Sequence, residues 1–357
     1  MITISLCMIV KNEEEILHRC LGSVKDLVDE IIIVDTGSTD STKVIAKEYT
    51  HKVYDFEWVD DFSAARNFAY SKATMDYQMW MDADDILPES QHDKLLQLKN
   101  NIEPDTDIVT MKYLTHFDEQ NNPILVSTRE RLTKREKGYK WIDPVHECIP
   151  LAGKIFYSDI EIEHRKPKSD SAISYRNINI YKKHEAAGKP FTPRQLYYYA
   201  RELKDHGQWA QAAIYFEKFL ETKQGWYEDN IAACFNLSIC YNQLGDEEKV
   251  LPILVQSFLY DAPRAEICCE IGYYYKRAKN YLCAFKWFRL GASLGQPESA
   301  GFILQDYWGY IPNIECCVCL CELGRFAEAN IYNERAAEFK NTAAIEINRK
   351  YLAPMLG

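Results

Sequence analysis

A change of hydrophobic period near the middle constrains this chain more than any other feature. From Met1 to about His116, short β-rich runs alternate with stretches of helical spacing, the sequence form of a parallel sheet flanked by helices. The runs are residues 2–10, 30–35, 52–56, 77–82 and 108–116. Between them, 13–28, 38–49 and 63–74 have helical spacing, with Ser38 or Thr39 and Asp40 as a cap for the second. After His116, Asn121-Asn122-Pro123 separates residues 112–117 from 124–132, which predicts an antiparallel pair, and further runs follow at 139–141 and 155–162. From about Arg194 the period is helical throughout. A length of 357 residues suits two domains, and residues 1–190 and 191–357 are the expected division. Compositional breaks fall at 166–168 and 188–193, with 170–184 as a connecting helix that belongs to either side.

The helical half repeats itself loosely. Gly207-Gln208-Trp209-Ala210, Gly245-Asp246-Glu247-Glu248, Lys279-Asn280-Tyr281-Leu282 and Gly324-Arg325-Phe326-Ala327 each resemble the turn between the paired helices of a tetratricopeptide repeat. Their spacings of 38, 34 and 45 residues are irregular beside that family's unit of roughly 34, which implies three or four degenerate repeats. The aromatic stripes read as helix–helix packing. Solenoids of this kind offer an extended face to a peptide or to another subunit, a homodimer included.

Charge and apolar runs narrow the partners. A net charge of −11 argues against nucleic acid. No apolar run approaches the roughly 18 to 20 residues of a membrane span. Residues 1–10 lack a basic leader and a cleavage site, so they read as a strand rather than a signal peptide, and a cytoplasmic location with reduced cysteines is expected. Cys316, Cys317, Cys319 and Cys321 read as small buried residues, because the adjacent Cys268 and Cys269 are a poor second pair for zinc.

The chemistry concentrates in Trp80-Met81-Asp82-Ala83-Asp84-Asp85, where a buried strand ends in three carboxylates. Crowded like charges call for a cation, and hard oxygen ligands suit Mn²⁺ or Mg²⁺. The Asp-x-Asp spacing presents Asp82 and Asp84 on one side of an extended segment. Polar residues also gather at 11–13 and 35–39, and in open α/β sheets ligands bind outside the carboxyl ends of the strands, so the three clusters are expected to face one crevice.

In this order, Cys7-Met8-Ile9-Val10-Lys11-Asn12-Glu13-Glu14, Ile33-Val34-Asp35-Thr36-Gly37-Ser38-Thr39-Asp40, Asp61-Phe62-Ser63-Ala64-Ala65-Arg66-Asn67 and Asp82-Ala83-Asp84-Asp85 resemble the motifs of the family 2 glycosyltransferases of the GT-A fold. The resemblance covers about residues 1–165. Val145-His146-Glu147 and His164 resemble a subgroup that includes the sublancin-type peptide S-glycosyltransferases, whose catalytic domain precedes tetratricopeptide-like helices. The fold implied is α/β: a Rossmann-like mixed GT-A sheet with flanking helices, followed by an all-α tetratricopeptide-like repeat domain. The activity implied is inverting transfer from a nucleotide sugar. By position, Asp35 accepts a hydrogen bond from the base, for which a uracil N–H is suited, and Val10, Asn12 and Glu13 line the nucleotide pocket. Arg66 contacts the base or a phosphate. Asp84 is the direct metal ligand and His164 completes the shell, while Asp82 binds ribose or metal-bound water. Asp85 carries no assigned role. Glu147 is placed as general base, with His146 positioning the sugar or serving as base itself. Trp141 either stacks on a sugar ring or belongs to the core.

These residues lead to a metal-dependent hexosyltransferase that moves a hexose or N-acetylhexosamine from a UDP-sugar to a peptide or protein acceptor held through the repeat domain. A cell-surface glycan or lipid-linked acceptor is the alternative within the class, and a nucleotide-binding repeat scaffold without turnover is the alternative outside it. A nucleotidyltransferase ranks last, because the first strand is not followed by a Gly-rich phosphate loop.

Overall fold

The structure is a computed structural model that describes residues 1–166, 174–299 and 301–356. The chain forms two compact units, Met1–Lys189 and Pro190–Gly357. The first unit runs β1 (Ile4–Val10), α1 (Leu17–Val24), β2 (Glu30–Asp35), α2 (Thr42–Tyr49), β3 (Val53–Asp55), α3 (Phe62–Tyr70), β4 (Tyr77–Trp80), β5 (Asp85–Ile86), α4 (His92–Asn101), β6 (Ile108–Phe117), β7 (Pro123–Lys134), β8 (Ile155–His164) and α5 (Arg176–Ala186). Its strands lie in the order β3-β2-β1-β4-β7-β6-β8-β5. β1 pairs in parallel with β2 and β4, and β7 runs antiparallel to both β4 and β6. This is a Rossmann-like mixed sheet of GT-A type. β1 and β2 are apolar almost without interruption because helices cover both of their faces, and Ile4, Leu6, Met8, Ile32, Ile33 and Val34 are buried. Val10 lies opposite Asp35 and Cys7 opposite Trp80, so the carboxyl ends of the three central strands open side by side.

Local competition moved several expected elements. α2 starts at Thr42 rather than near Ser38, because side chains take the backbone groups a helix would need. The Asp35 carboxylate accepts from the N–H groups of Gly37 and Ser38, Asn12 accepts from Thr39 N–H, and Asp40 accepts from Thr42 N–H. Residues 139–141 form no strand: the Asn67 side chain bonds both the N–H and the C=O of Trp141, leaving only an isolated bridge between Ile142 and Cys148. The expected break at 166–168 and the expected helix at 170–184 lie in part outside the described residues, and the helix that follows is α5.

The second unit holds α6 (Pro193–Asp205), α7 (Trp209–Thr222), α8 (Tyr227–Leu244), α9 (Glu247–Gln256), α10 (Ala265–Arg277), α11 (Tyr281–Ser293), α12 (Tyr310–Glu322), α13 (Phe326–Phe339) and α14 (Ala343–Leu356). Successive helices pair as α6/α7, α8/α9, α10/α11 and α12/α13, a tetratricopeptide-like array. Each pair turns on a residue in the left-handed region: Gly207, Gly245, Lys279 and Gly324. α6 opens on a capping box, with Thr192 and Gln195 bonding reciprocally ahead of Pro193. Cys316, Cys317 and Cys319 are buried with Phe285, Phe288 and Leu320. No described helix is long and apolar enough to cross a membrane.

Candidate active site

The strand ends of the first unit open onto a cleft of about 340 Å³. Of the expected site residues, Val10, Glu13, Arg66, Asp82, Asp84, His146, Glu147 and His164 line it, and Asn12 and Asp35 do not. Asn12 sits in the left-handed region and laces two loops together, donating its N–H to Ser38 Oγ while its Oδ1 accepts from Thr39. Asp35 lies behind, buried, with Oδ2 bound to two backbone N–H groups and Oδ1 left without a hydrogen-bond partner.

Arg66 is the hub of one side. Asp61 caps α3 by accepting from Ala64 N–H, and the helix then delivers Arg66 into the cleft wall, 7% exposed. Its Nε donates to Glu147 Oε1 at 2.5 Å and its Nη2 to Asp82 Oδ1 at 2.7 Å. The guanidinium lies 4.9 Å from the Trp80 ring centre and 4.8 Å from that of Trp141. Burial opposes the charged form of Asp82, yet the adjacent Arg66 guanidinium holds its pKa down at about 2. The sequence placed Arg66 against a donor base or phosphate, whereas here it is clamped between two indoles and two carboxylates. Trp141 is 2% exposed and packs edge-on to Tyr70 and Trp80, so it belongs to the core rather than to a sugar-stacking surface.

Glu147 arrives on a tight loop. Residues 142–148 close on two backbone hydrogen bonds between Ile142 and Cys148, with Asp143 and His146 both at positive φ. Phe62 N–H donates to Pro144 C=O, which ties the loop to the start of α3.

Acidic groups and an imidazole meet on the other side. β5 pairs antiparallel with β8 so that Asp85 stands opposite His164, and Arg165 N–H donates to Asp84 C=O at 2.7 Å. His164 Nδ1 lies 3.1 Å from Asp84 Oδ1, 3.2 Å from Asp85 Oδ1 and 2.7 Å from the Tyr113 hydroxyl. One ligand atom from each of Asp84, Asp85 and His164 fits within 4.8 Å of the others, the cation-type cluster found among the described residues. Burial works against the imidazolium, but the hydrogen bonds to Asp84 and Asp85 outweigh it and raise the His164 pKa to about 9. Asp85 is fully buried and already committed: Oδ2 accepts from Arg131 Nη1 at 2.9 Å and from Asp82 N–H, and Oδ1 accepts from the Tyr113 hydroxyl. Asp84 and His164 face the cleft and are the pair left to hold an ion.

Sequence reasoning missed Trp58, Arg129 and Arg176, which also line the cleft. Lys11, expected at the crevice without a role of its own, lines it too. Arg129 comes from mid-strand on β7, where periodicity marks a face and no motif marks a function.

Residues 5–158 match the sequence profile of Glycosyl transferase family 2. The chain is 27% identical over 291 residues to the SPbeta prophage-derived glycosyltransferase SunS of Bacillus subtilis, covering 76% of this chain and 65% of that protein. It is 55% identical over 87 residues to a TPR repeat-containing protein of Synechococcus elongatus, covering 24% of this chain and 22% of that protein. The chain therefore spans less than two thirds of the length of either curated relative. Among solved structures, glucosyl-3-phosphoglycerate synthase from Mycobacterium tuberculosis in complex with Mn²⁺ and uridine-diphosphate-glucose aligns with a TM-score of 0.36 and 16% identity, over 54% of this chain and 81% of that one. The match to the Glycosyl transferase family 2 profile lies wholly within the first unit.

Proposed function

We propose that this protein is an inverting glycosyltransferase that moves a hexose or N-acetylhexosamine from a UDP-sugar to a peptide or protein acceptor. One observation carries the reading: the Asp84–His164 pair and an Arg66-bound Glu147 open onto the same cleft, beside the family 2 motifs. The Asp84 carboxylate suits Mn²⁺ or Mg²⁺, the His164 imidazole favours Mn²⁺ as the softer of the two, and Asp84 and His164 are the residues that would hold the ion. Such an ion supplies Lewis acidity toward a leaving diphosphate. Asp35, one residue before the cleft-lining Thr36, keeps the role of base acceptor through its unpartnered Oδ1, which a bound nucleotide would have to uncover.

Glu147 takes the role of general base. Arg66 binds its Oε1, which fixes the carboxylate and leaves Oε2 for the proton of the acceptor nucleophile. The acceptor atom then bonds to the anomeric carbon from the face opposite the diphosphate, whose bond to that carbon breaks. His146, raised by its left-handed backbone on the same loop, positions the sugar. The helical array supports a peptide or protein acceptor, since stacked helix pairs present an extended surface.

The test is release of nucleoside diphosphate from a panel of sugar donors, with Mn²⁺, Mg²⁺ or chelator, in the native protein and in Asp84→Ala and Glu147→Gln. Metal-dependent release from one donor is expected, abolished in Asp84→Ala and reduced about 10²- to 10⁴-fold in Glu147→Gln. Binding of UDP without release from any donor, with candidate acceptor peptides present, would favour the scaffold alternative. Full turnover in Asp84→Ala would remove the metal assignment.

A further inference from the structure

Glu147 and the Asp84–His164 pair reach the cleft on different elements, and the elements that hold Glu147 bring further side chains with them. The 142–148 loop is tied from two directions: Phe62 N–H donates to Pro144 C=O, and the Tyr181 hydroxyl of α5 donates to Val145 C=O at 3.4 Å. α5 is also pinned to the stretch ahead of α3 by the Lys183–Asp60 ion pair at 2.6 Å, and Asp60 accepts from Trp58 Nε1 at 3.0 Å. These ties set Arg176, the first residue of α5, over the Phe62 ring at 4.6 Å, and Phe62 packs edge-on to Trp58 at 4.7 Å. Trp58, Phe62 and Arg176 line the same cleft as Glu147.

The cations on this side differ in what they hold. Arg66 pairs with Glu147 and Asp82, Arg129 with Glu130, and Lys183 with Asp60. Arg176 is exposed and stacked on Phe62, and no carboxylate among the described residues is paired with it. We propose that Trp58, Phe62 and Arg176 form an acceptor subsite that reads a carboxylate flanking the nucleophile, so that the acceptor peptide is acidic beside the residue to be modified. The inference rests on the reading of Glu147 as general base in transfer to a peptide. A base must reach the proton of the acceptor, so groups fixed to its own loop stand beside the acceptor rather than the donor diphosphate. Stacking on Phe62 orients the guanidinium plane and leaves its edge donors for a carboxylate. Trp58 adds apolar surface for the neighbouring part of the peptide. With a net charge of −11 the whole chain repels an acidic peptide, so a preference for one has to come from a local cation.

The probes are two fluorescent peptides, Gly-Asp-Cys-Ser-Asn-Asp-Gly and its counterpart with lysine in place of both aspartates, titrated into full-length protein in the presence of UDP and Mn²⁺. The aspartate peptide should bind about fivefold more tightly at low ionic strength, and the difference should shrink as salt is added. Arg176→Glu should reverse the preference, and Arg176→Lys, which keeps the charge without the planar stack, should retain part of it. Trp58→Ala should weaken both peptides, since its apolar surface serves either charge. Thermal melting checks the fold of each variant. Equal affinity of the native protein for the two peptides, or a preference unchanged in Arg176→Glu, would overturn the proposal. Donor hydrolysis by the native protein keeps the two readings apart: hydrolysis without a charge preference sinks the subsite alone, whereas a preference reversed by Arg176→Glu, with no donor turned over alongside either peptide, sinks the transferase reading and leaves the carboxylate site standing.

Discussion

Arg66 reaches two carboxylates because α3 is capped by Asp61 and because Trp80 and Trp141 leave a slot for a planar cation between them. Removing one partner of a buried ion pair strands the others, so Arg66→Gln should destabilise the first unit by about 3–5 kcal/mol in a denaturant titration. Arg66→Lys keeps the charge without the fork that bridges Glu147 and Asp82. A fall in kcat with little change in donor KM is expected; a raised KM at constant kcat would return Arg66 to donor binding. Around His164, Tyr113→Phe deletes the hydroxyl shared with Asp85, and metal affinity measured by calorimetry should drop about 10- to 100-fold. Asp82, Asp84, Glu147 and His164 were legible because contiguous motifs carry them. Tyr113, Arg129 and Arg131 were not, since they sit on long strands where only alternation can be read, and a fully buried arginine such as Arg131 contradicts that alternation.

Among the elements, boundaries were lost where side chains competed for backbone groups, as with Asn67 at Trp141 and Asp35 ahead of α2. The helix pairs were easier, because each turn is marked by a residue suited to left-handed backbone, with one departure. Lys279 holds φ at +57° where the equivalent turns use glycine. Lys279→Gly is expected to raise stability by up to about 1 kcal/mol, the relief of a left-handed Cβ offset by glycine's greater entropy in the unfolded chain. A substitution in the opposite sense belongs at Gly272, where α10 meets α11: a Cβ would stand 2.8 Å from the Phe288 ring. Gly272→Ala should cost about 1–3 kcal/mol. Calorimetry of the two variants checks both signs. The connection at 294–309 was visible only as an irregular spacing, because contacts such as Arg201 with Phe302 join residues far apart in the chain.

Across the whole molecule, the two units carry buried carboxylates with opposite responses to pH. In the first, burial disfavours ionised Glu30, but hydrogen bonds from Lys52, Ser5 and Thr74 prevail and lower its pKa from 4.5 to about 2. Its contribution is therefore present above about pH 4.5 and lost as pH falls toward 2. In the second, burial raises Glu266 from 4.5 to about 7 and Asp229 from 3.8 to about 6, against the pull of nearby arginines. The folded helices favour the protonated acids, so this stability is full below pH 3.8 and declines as pH climbs through 6 and 7. Glu266→Gln should raise the melting temperature at pH 8 and leave it nearly unchanged at pH 4; equal shifts at both values would contradict the assignment. The pairing of β5 with β8 has a separate consequence. Asp84 and His164 are brought together by main-chain bonds at Asp85, Ile86, Glu163 and Arg165, not by side chains stretching across a gap. The hairpin tip at residues 118–122 meets this arrangement through the Arg165 guanidinium, which donates to Asn121 Oδ1 at 2.6 Å, so exchanging Asn121 should free that side chain from the tip while the main-chain bonds that set Asp84 against His164 stay in place.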